Sequence, residues 1–212
     1  MNIPKNYWDK VAEKGAYQMG TQKYRLFLLD FLKKYNVKTI LDVGCGTGPL
    51  YEIIMNAPLG KYLPISEYKG VDYSENMIAV AQSKFPEGDF EVQDARILKE
   101  DDNSWDAVIL LHSLDHLDDY QAAIKEASRV AKQYVLIVLW RPMAQTNENN
   151  LNSHNDLERE EGEWEDTHLQ EYNFEKLVNA FEEANLKIEN DIADERINNP
   201  GSFNRLFLLK KL

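Results

Sequence analysis

The chain has 212 residues, 43% of them hydrophobic, enough for one large domain that buries most of its apolar surface. Lys and Arg number 24 against 36 Asp and Glu, a formal net charge of −12, which disfavours a broad electrostatic grip on nucleic acid. The single cysteine, Cys45, excludes an intrachain disulfide and a four-cysteine zinc site.

The start, Met1 to Trp8, is polar and aromatic and lacks the apolar core of a secretion signal. The longest apolar run, Tyr134 to Trp140, falls far short of the roughly 20 residues that span a bilayer. A cytoplasmic protein with no membrane partner is the expectation, and a lone thiol suits a reducing compartment.

In chain order, residues 5–14 and 20–35 read as helices; in the second, Tyr24, Phe27, Leu28, Phe31 and Leu32 recur at helical spacing. Thr39 to Val43 is a short buried strand that runs into Gly44-Cys45-Gly46-Thr47-Gly48 and a helix from Pro49 to Met55. Residues 57–66 read as a loop and Glu67 to Asp72 as a second strand. A helix capped by Ser74 runs to Phe85, and Asp89 to Gln93 is a third strand. Trp105 to Leu111 is a fourth, apolar enough to be buried on both faces. A helix over 118–131 and a fifth strand over Tyr134 to Trp140 complete the alternation. Residues 141–171, rich in Asn, Glu and Asp, form an insertion. After a helix over 173–184, Leu186 to Asp194 and Phe203 to Leu209 are strands joined by Asn198-Asn199-Pro200-Gly201, hence antiparallel. Alternation of this kind predicts an α/β three-layer sandwich: a mostly parallel sheet with helices on both faces, in a single domain over 1–212 with an N-terminal helical cover, 1–35.

The chemistry concentrates at the carboxyl ends of the first four strands. Glycines at 44, 46 and 48 permit positive φ and let a ligand approach the backbone, although such a turn also serves tight strand-to-helix packing. The spacing is Gly-x-Gly-x-Gly, with Pro49 where a dinucleotide-binding turn would continue, which speaks against an oxidoreductase. Asp72 ends the second strand, where a carboxylate can accept two ribose hydroxyls; the alternative is a helix N-terminal charge. Asp94 stands just past the third strand, placed to accept from an exocyclic amine, and Met77 can pack on a purine or in the core.

Leu41-Asp42-Val43-Gly44-Cys45-Gly46-Thr47-Gly48, Val71 to Met77, Gln93-Asp94-Ala95, Trp105 to Leu117 and Glu126 to Val138 together resemble the class I S-adenosylmethionine-dependent methyltransferases over residues 37–140. The departure is at Lys132-Gln133-Tyr134, where the family carries Pro-Gly-Gly. The resemblance implies a Rossmann-like, seven-stranded sheet of order 3-2-1-4-5-7-6, the last strand antiparallel, and S-adenosylmethionine as cofactor. Gly44, Cys45 and Gly46 would line its methionine part, and Asp42 would face the ammonium. Asp72 would hold the ribose, Tyr73 and Met77 would flank the adenine, and Asp94 and Ala95 would touch its edge. Leu111 and His112 would border the methyl group.

His112 is the first candidate general base, since a neutral imidazole near pH 7 can take the acceptor's proton, with His116, four residues on, Asp115 and Tyr17 behind it. The place of the two histidines at a strand-to-helix turn argues against a metal pair, and no metal is expected. No Asn/Asp-Pro-Pro-Tyr/Phe segment follows the fourth strand and no Pro-Cys pair occurs, which leaves a small-molecule methyl acceptor as the favoured substrate. Tyr7, Tyr17, Trp140, Arg141 and His168 are candidate substrate residues in segments that would cover the cofactor. A non-catalytic, cofactor-binding partner protein and a protein or RNA methyltransferase are the competing readings, and the sequence leaves the oligomeric state open.

Overall fold

The computed structural model describes residues 23–56, 60–139, 172–195 and 203–212. Seven strands form one sheet: β1 (Thr39–Val43), β2 (Glu67–Asp72), β3 (Asp89–Val92), β4 (Trp105–Leu111), β5 (Ala131–Leu139), β6 (Leu186–Glu195) and β7 (Phe203–Lys211). Their spatial order is 3-2-1-4-5-7-6. The first five are mutually parallel, and β7 runs antiparallel between β5 and β6. This is the class I methyltransferase α/β fold.

The period-2 alternation of the central strands makes two cores, one on each face of the sheet. From β4, Val108 and Leu110 enter one core, while Ala107 and Ile109 enter the other. On β5, Val135, Ile137 and Leu139 alternate in the same way with Tyr134, Leu136 and Val138. The first core is closed by α4 (Tyr120–Val130) and α5 (Phe174–Glu183), through Ala123, Ile124 and Ala127 and through Leu177 and Phe181. The second is closed by α1 (Lys23–Lys34), α2 (Pro49–Tyr51) and α3 (Glu75–Lys84), through Leu28, Phe31 and Leu32, Leu50 and Ile78. Phe31 meets Tyr134 of the sheet edge-on, with ring centroids 5.4 Å apart.

Three helix starts carry the side-chain caps that fix them. Ser74 Oγ accepts the Met77 N–H at 3.1 Å, Asp119 Oδ1 that of Ala122 at 3.0 Å, and Asn173 Oδ1 that of Lys176 at 3.1 Å. The structure also departs from the sequence reading in detail. The helix expected over 49–55 keeps α-helical form only to Tyr51 and widens into a π-helical turn over Glu52–Asn56. Within the expected loop, Gly60–Tyr62 makes a 3₁₀ turn. α4 stops at Val130, and Ala131 is already extended, at φ −67° and ψ 136°. β5 therefore starts three residues before Tyr134, with exposed Lys132 and Gln133 inside it. That direct passage from helix to strand leaves no place for a Pro-Gly-Gly turn. The helix expected over 5–14, the insertion 141–171 and the turn at 198–201 lie outside the described residues.

Candidate active site

β1, β2 and β4 end side by side, and a cleft opens over their carboxyl ends. Asp42, Gly44, Cys45, Gly46, Asp72, Tyr73, Met77, Asp94, Ala95, Leu111, His112 and His116 all line it. Trp140 and Arg141, and with them Tyr7, Tyr17 and His168, lie outside the described residues.

The glycine turn forms the floor. Gly44, Gly46 and Gly48 have φ of 79°, 54° and 80°, left-handed conformations that glycine adopts without strain. The Gly44 and Cys45 N–H groups donate to the Val71 carbonyl at 2.8 and 3.0 Å, so the turn hangs from the end of β2. A Cβ on Gly44 would stand 2.4 Å from that of Ser113, whereas one on Gly46 meets no atom within 4 Å among the described residues. Gly46 therefore presents bare backbone to open space.

Asp72 spans the turn and the next helix: Oδ2 accepts the Gly46 N–H at 2.9 Å and Oδ1 accepts that of Ser74 at 2.9 Å. A carboxylate offers about four lone-pair sites, more than these two N–H groups use. Tyr73, half exposed, and buried Met77 stand beyond it. Cys45 is buried, and its thiol is pushed well above its ordinary range by burial and by the nearby Asp72 and Asp42 carboxylates, so it is inert.

Asp42 is 2% exposed, and its Oδ2 accepts the Tyr68 hydroxyl at 2.6 Å. Burial pushes its carboxyl up to about 7; the Tyr68 bond opposes that shift and Asp72 adds to it. A buried carboxyl of this kind calls for a cation in the cleft.

At the third strand's end, Asp94 Oδ1 accepts the Arg96 N–H and Nε–H, both at 2.9 Å, and Oδ2 accepts from the Arg96 guanidinium at 2.6 Å. Arg96 holds the Asp94 carboxyl below its usual range. The sequence reading missed Arg96, which lines the cleft beside Asp94, as it missed Gln93, Ser113 and Leu117 as lining residues. Two residues apart on a strand, side chains share a face without a fork between them. Here the chain has left β3 and turned, with the Ile97 N–H on the Asp94 carbonyl at 3.0 Å. The signal for Arg96 was the Asp-x-Arg pattern of a side-chain-closed turn.

His112 follows β4 at φ 58°, a left-handed conformation uncommon for a residue with a Cβ. Its N–H donates to the Val138 carbonyl at 2.8 Å, which extends the ladder one residue past the strand, and the residue lines the cleft. Nδ1 lies 3.9 Å from Oδ2 of fully buried Asp115. His116 closes the 3₁₀ turn Leu114–His116 and lines the same end of the cleft.

Residues 41–139 match a family model described as a methyltransferase domain. Demethylmenaquinone methyltransferase of Thermotoga maritima is 27% identical over 139 residues, 62% of this chain and 58% of that protein. The Staphylococcus aureus protein of the same name is 37% identical over 140 residues, 65% of this chain and 56% of that one. The chain thus spans less than two thirds of the length of these curated relatives. Magnesium protoporphyrin IX methyltransferase from Synechocystis PCC 6803 with bound SAM shares the fold, with a TM-score of 0.65 at 16% identity over 98% of this chain and 95% of that one. Residues 41–139 are thus similar to a methyltransferase domain, and the chain shares the class I fold with a methyltransferase solved with its cofactor, S-adenosylmethionine, bound.

The residues present fit that cofactor. It carries an ammonium, for which Asp42 is a buried counter-charge; a ribose, for which Asp72 has acceptor capacity; and an adenine, for which Tyr73 and Met77 offer walls. Gly46 leaves the room that a side chain would fill.

Proposed function

We propose that the protein transfers a methyl group from S-adenosylmethionine to a small-molecule acceptor seated at the His112 end of the cleft. In this reading Asp42 takes the ammonium, Asp72 the ribose hydroxyls, Tyr73 and Met77 flank the purine, and Ala95 with Asp94 meets its edge. The cofactor supplies an already activated methyl on a sulfonium, so the chain's part is to orient, to exclude water and to accept a proton.

The observation that carries the reading is the change of character along the cleft. Its acidic residues, Asp42, Asp72 and Asp94, lie at the ends of β1, β2 and β3, where the cofactor's polar parts would be held. The end of β4 is instead apolar, with Leu111 and Leu117 beside two imidazoles. An apolar wall with a few polar groups suits a small organic acceptor. The net charge of −12 weighs against RNA.

The names of the two curated relatives make a hydroquinone ring the first acceptor to try. The experiment is to incubate the protein with S-adenosylmethionine and 1,4-naphthohydroquinone, other phenols, bulk tRNA or unfolded protein. S-adenosylhomocysteine release and product mass are then measured. Turnover on small aromatic acceptors above that on either macromolecule supports the reading; the reverse order overturns it.

A further inference from the structure

The proton that a methyl acceptor gives up needs a destination, and the structure offers one that is built rather than incidental. His112 is held at φ 58° by the hydrogen bond from its N–H to Val138, an unusual backbone state for a residue with a side chain. Its ring lines the cleft on one side, and Nδ1 on the other side is 3.9 Å from Oδ2 of Asp115. Asp115 has no exposed surface. A carboxyl group so deep is costly unless polar partners compensate it, and the 3₁₀ turn that buries it is the one that follows His112 directly.

Behind Asp115 stands Tyr172, the residue before α5. Its ring packs edge-on against Tyr120 with centroids 5.2 Å apart, and its hydroxyl is buried with no hydrogen-bond partner among the described residues. Burial first, and then the Asp115 carboxyl, keep that phenol protonated, so it is available as a donor.

We infer that Asp115 is a positioning residue for His112. It holds the neutral imidazole as the Nδ1–H tautomer, leaves Nε2 as the proton acceptor in the cleft, and stabilises the imidazolium formed there. The inference rests on the proposed methyl transfer and adds that the acceptor is one that must lose a proton, such as a phenol or enol. The acceptor's electron pair forms the new bond to the methyl carbon, the carbon–sulfur bond breaks with its pair left on sulfur, and the acceptor's proton passes to Nε2. A separation of 3.9 Å is long for a hydrogen bond, as such contacts often are before the reacting complex tightens them. Among the described residues, the titratable groups that line the cleft with the ring include Asp42, Asp72, Tyr73, Asp94, Arg96 and His116, and Tyr172 stands beside Asp115.

The test does not need the acceptor. ¹⁵N-labelled protein saturated with S-adenosylhomocysteine is titrated from about pH 5 to 9 while the imidazole nitrogens are followed by NMR. His112→Asn, chosen because asparagine tolerates the left-handed region, and His116→Gln assign the signals. The expected result is that neutral His112 carries its proton on Nδ1 and that Asp115→Asn lowers its midpoint by about one pH unit or more. A neutral form protonated on Nε2, or a midpoint that Asp115→Asn does not move, overturns the inference. If Asp115→Asn does not fold, the wild-type tautomer decides. S-adenosylhomocysteine affinity, measured by calorimetry on the same samples, reports on the cofactor site separately. An Nδ1–H tautomer with a shifted midpoint but no turnover on any phenol supports the dyad and counts against the proposed acceptor class alone.

Discussion

Tyr68 donates its hydroxyl to Oδ2 of Asp42 at 2.6 Å, and both groups are buried. The pairing of β1 with β2 brings them together: Asp42 lies opposite Gly70 and Ile40 opposite Tyr68, so the two polar side chains sit diagonally on one face. Gly70 has no room for a side chain, because a Cβ there would stand 2.7 Å from the Phe90 ring and 3.0 Å from Cys45 Sγ. The bond eases the ionisation of Asp42 against the larger, opposing effect of its burial.

Burial raises the Asp42 carboxyl from an ordinary value of 3.8 to about 7 in the folded, cofactor-free chain. Between those values the folded state binds more protons than the unfolded state at this site. Its contribution to stability is therefore fully present below about pH 4 and lost as pH rises through about 7. Asp42→Asn should remove that slope and make the cofactor-free protein more stable at pH 8, by on the order of 4 kcal/mol at most. Thermal melts from pH 5 to pH 8 check this; a wild-type and variant difference that stays constant across that range refutes it. Because a bound ammonium favours the ionised form, cofactor affinity should also rise from about pH 5 to 7 in wild type only.

Tyr68→Phe should shift the same behaviour upward. The hydroxyl lowers the Asp42 carboxyl, so its loss leaves the group protonated to a higher pH. At pH 7 the variant should bind S-adenosylmethionine about tenfold less tightly, about 1.4 kcal/mol, with affinity recovering toward pH 8. Calorimetry at the two pH values reads this directly, and an equal deficit at both would assign the loss to packing.

Asp72→Ala should weaken S-adenosylmethionine binding by roughly ten- to a hundredfold, the worth of hydrogen bonds to a charged group, about 1.5–3 kcal/mol. Part of that loss comes from the turn itself, since the carboxylate also receives the Gly46 and Ser74 N–H groups. Asp72→Asn keeps an oxygen for only one of those donors and turns an NH2 on the other, so it should lose about as much affinity as Asp72→Ala. Unchanged calorimetric affinity in Asp72→Ala would remove this residue from the site.

Much of this site was legible in the sequence because it sits where local signals are strongest. β1 and β4 are continuous apolar runs, and the glycine turn and Asp72 follow strand ends that those runs locate. Less was legible where partners are distant or the backbone departs from regular form. Tyr68 reads as one aromatic in a strand until register sets it beside Asp42, 26 residues away. Arg96 reads as a solvated charge until the turn after β3 folds it onto Asp94. The start of β5 was misjudged because Lys132 and Gln133 look like loop, although the sheet simply leaves them exposed before it buries Tyr134. The left-handed His112 has no clear sequence signature; its N–H bond to Val138 of β5 depends on a partner 26 residues away.

Gly44 and Gly46 make a last comparison, because alanine at either meets the same backbone penalty in the left-handed region, about 1–2 kcal/mol, but different surroundings. At Gly44 the new methyl would lie 2.4 Å from Ser113 Cβ, a contact that real side chains do not show, so the β4–3₁₀ segment must move. Gly44→Ala should therefore melt well below Gly46→Ala, by about 2 kcal/mol or more, and displace His112 with Ser113. At Gly46 the methyl meets no atom within 4 Å among the described residues and instead enters the space that the proposed cofactor placement requires. Gly46→Ala should fold with only the backbone penalty yet bind S-adenosylmethionine at least about tenfold more weakly. Thermal melts with and without cofactor separate the two effects: Gly44→Ala should lose stability in both conditions, whereas Gly46→Ala should chiefly lose the cofactor-induced rise. A normal cofactor-induced rise in Gly46→Ala would mean that the cofactor does not lie over this turn.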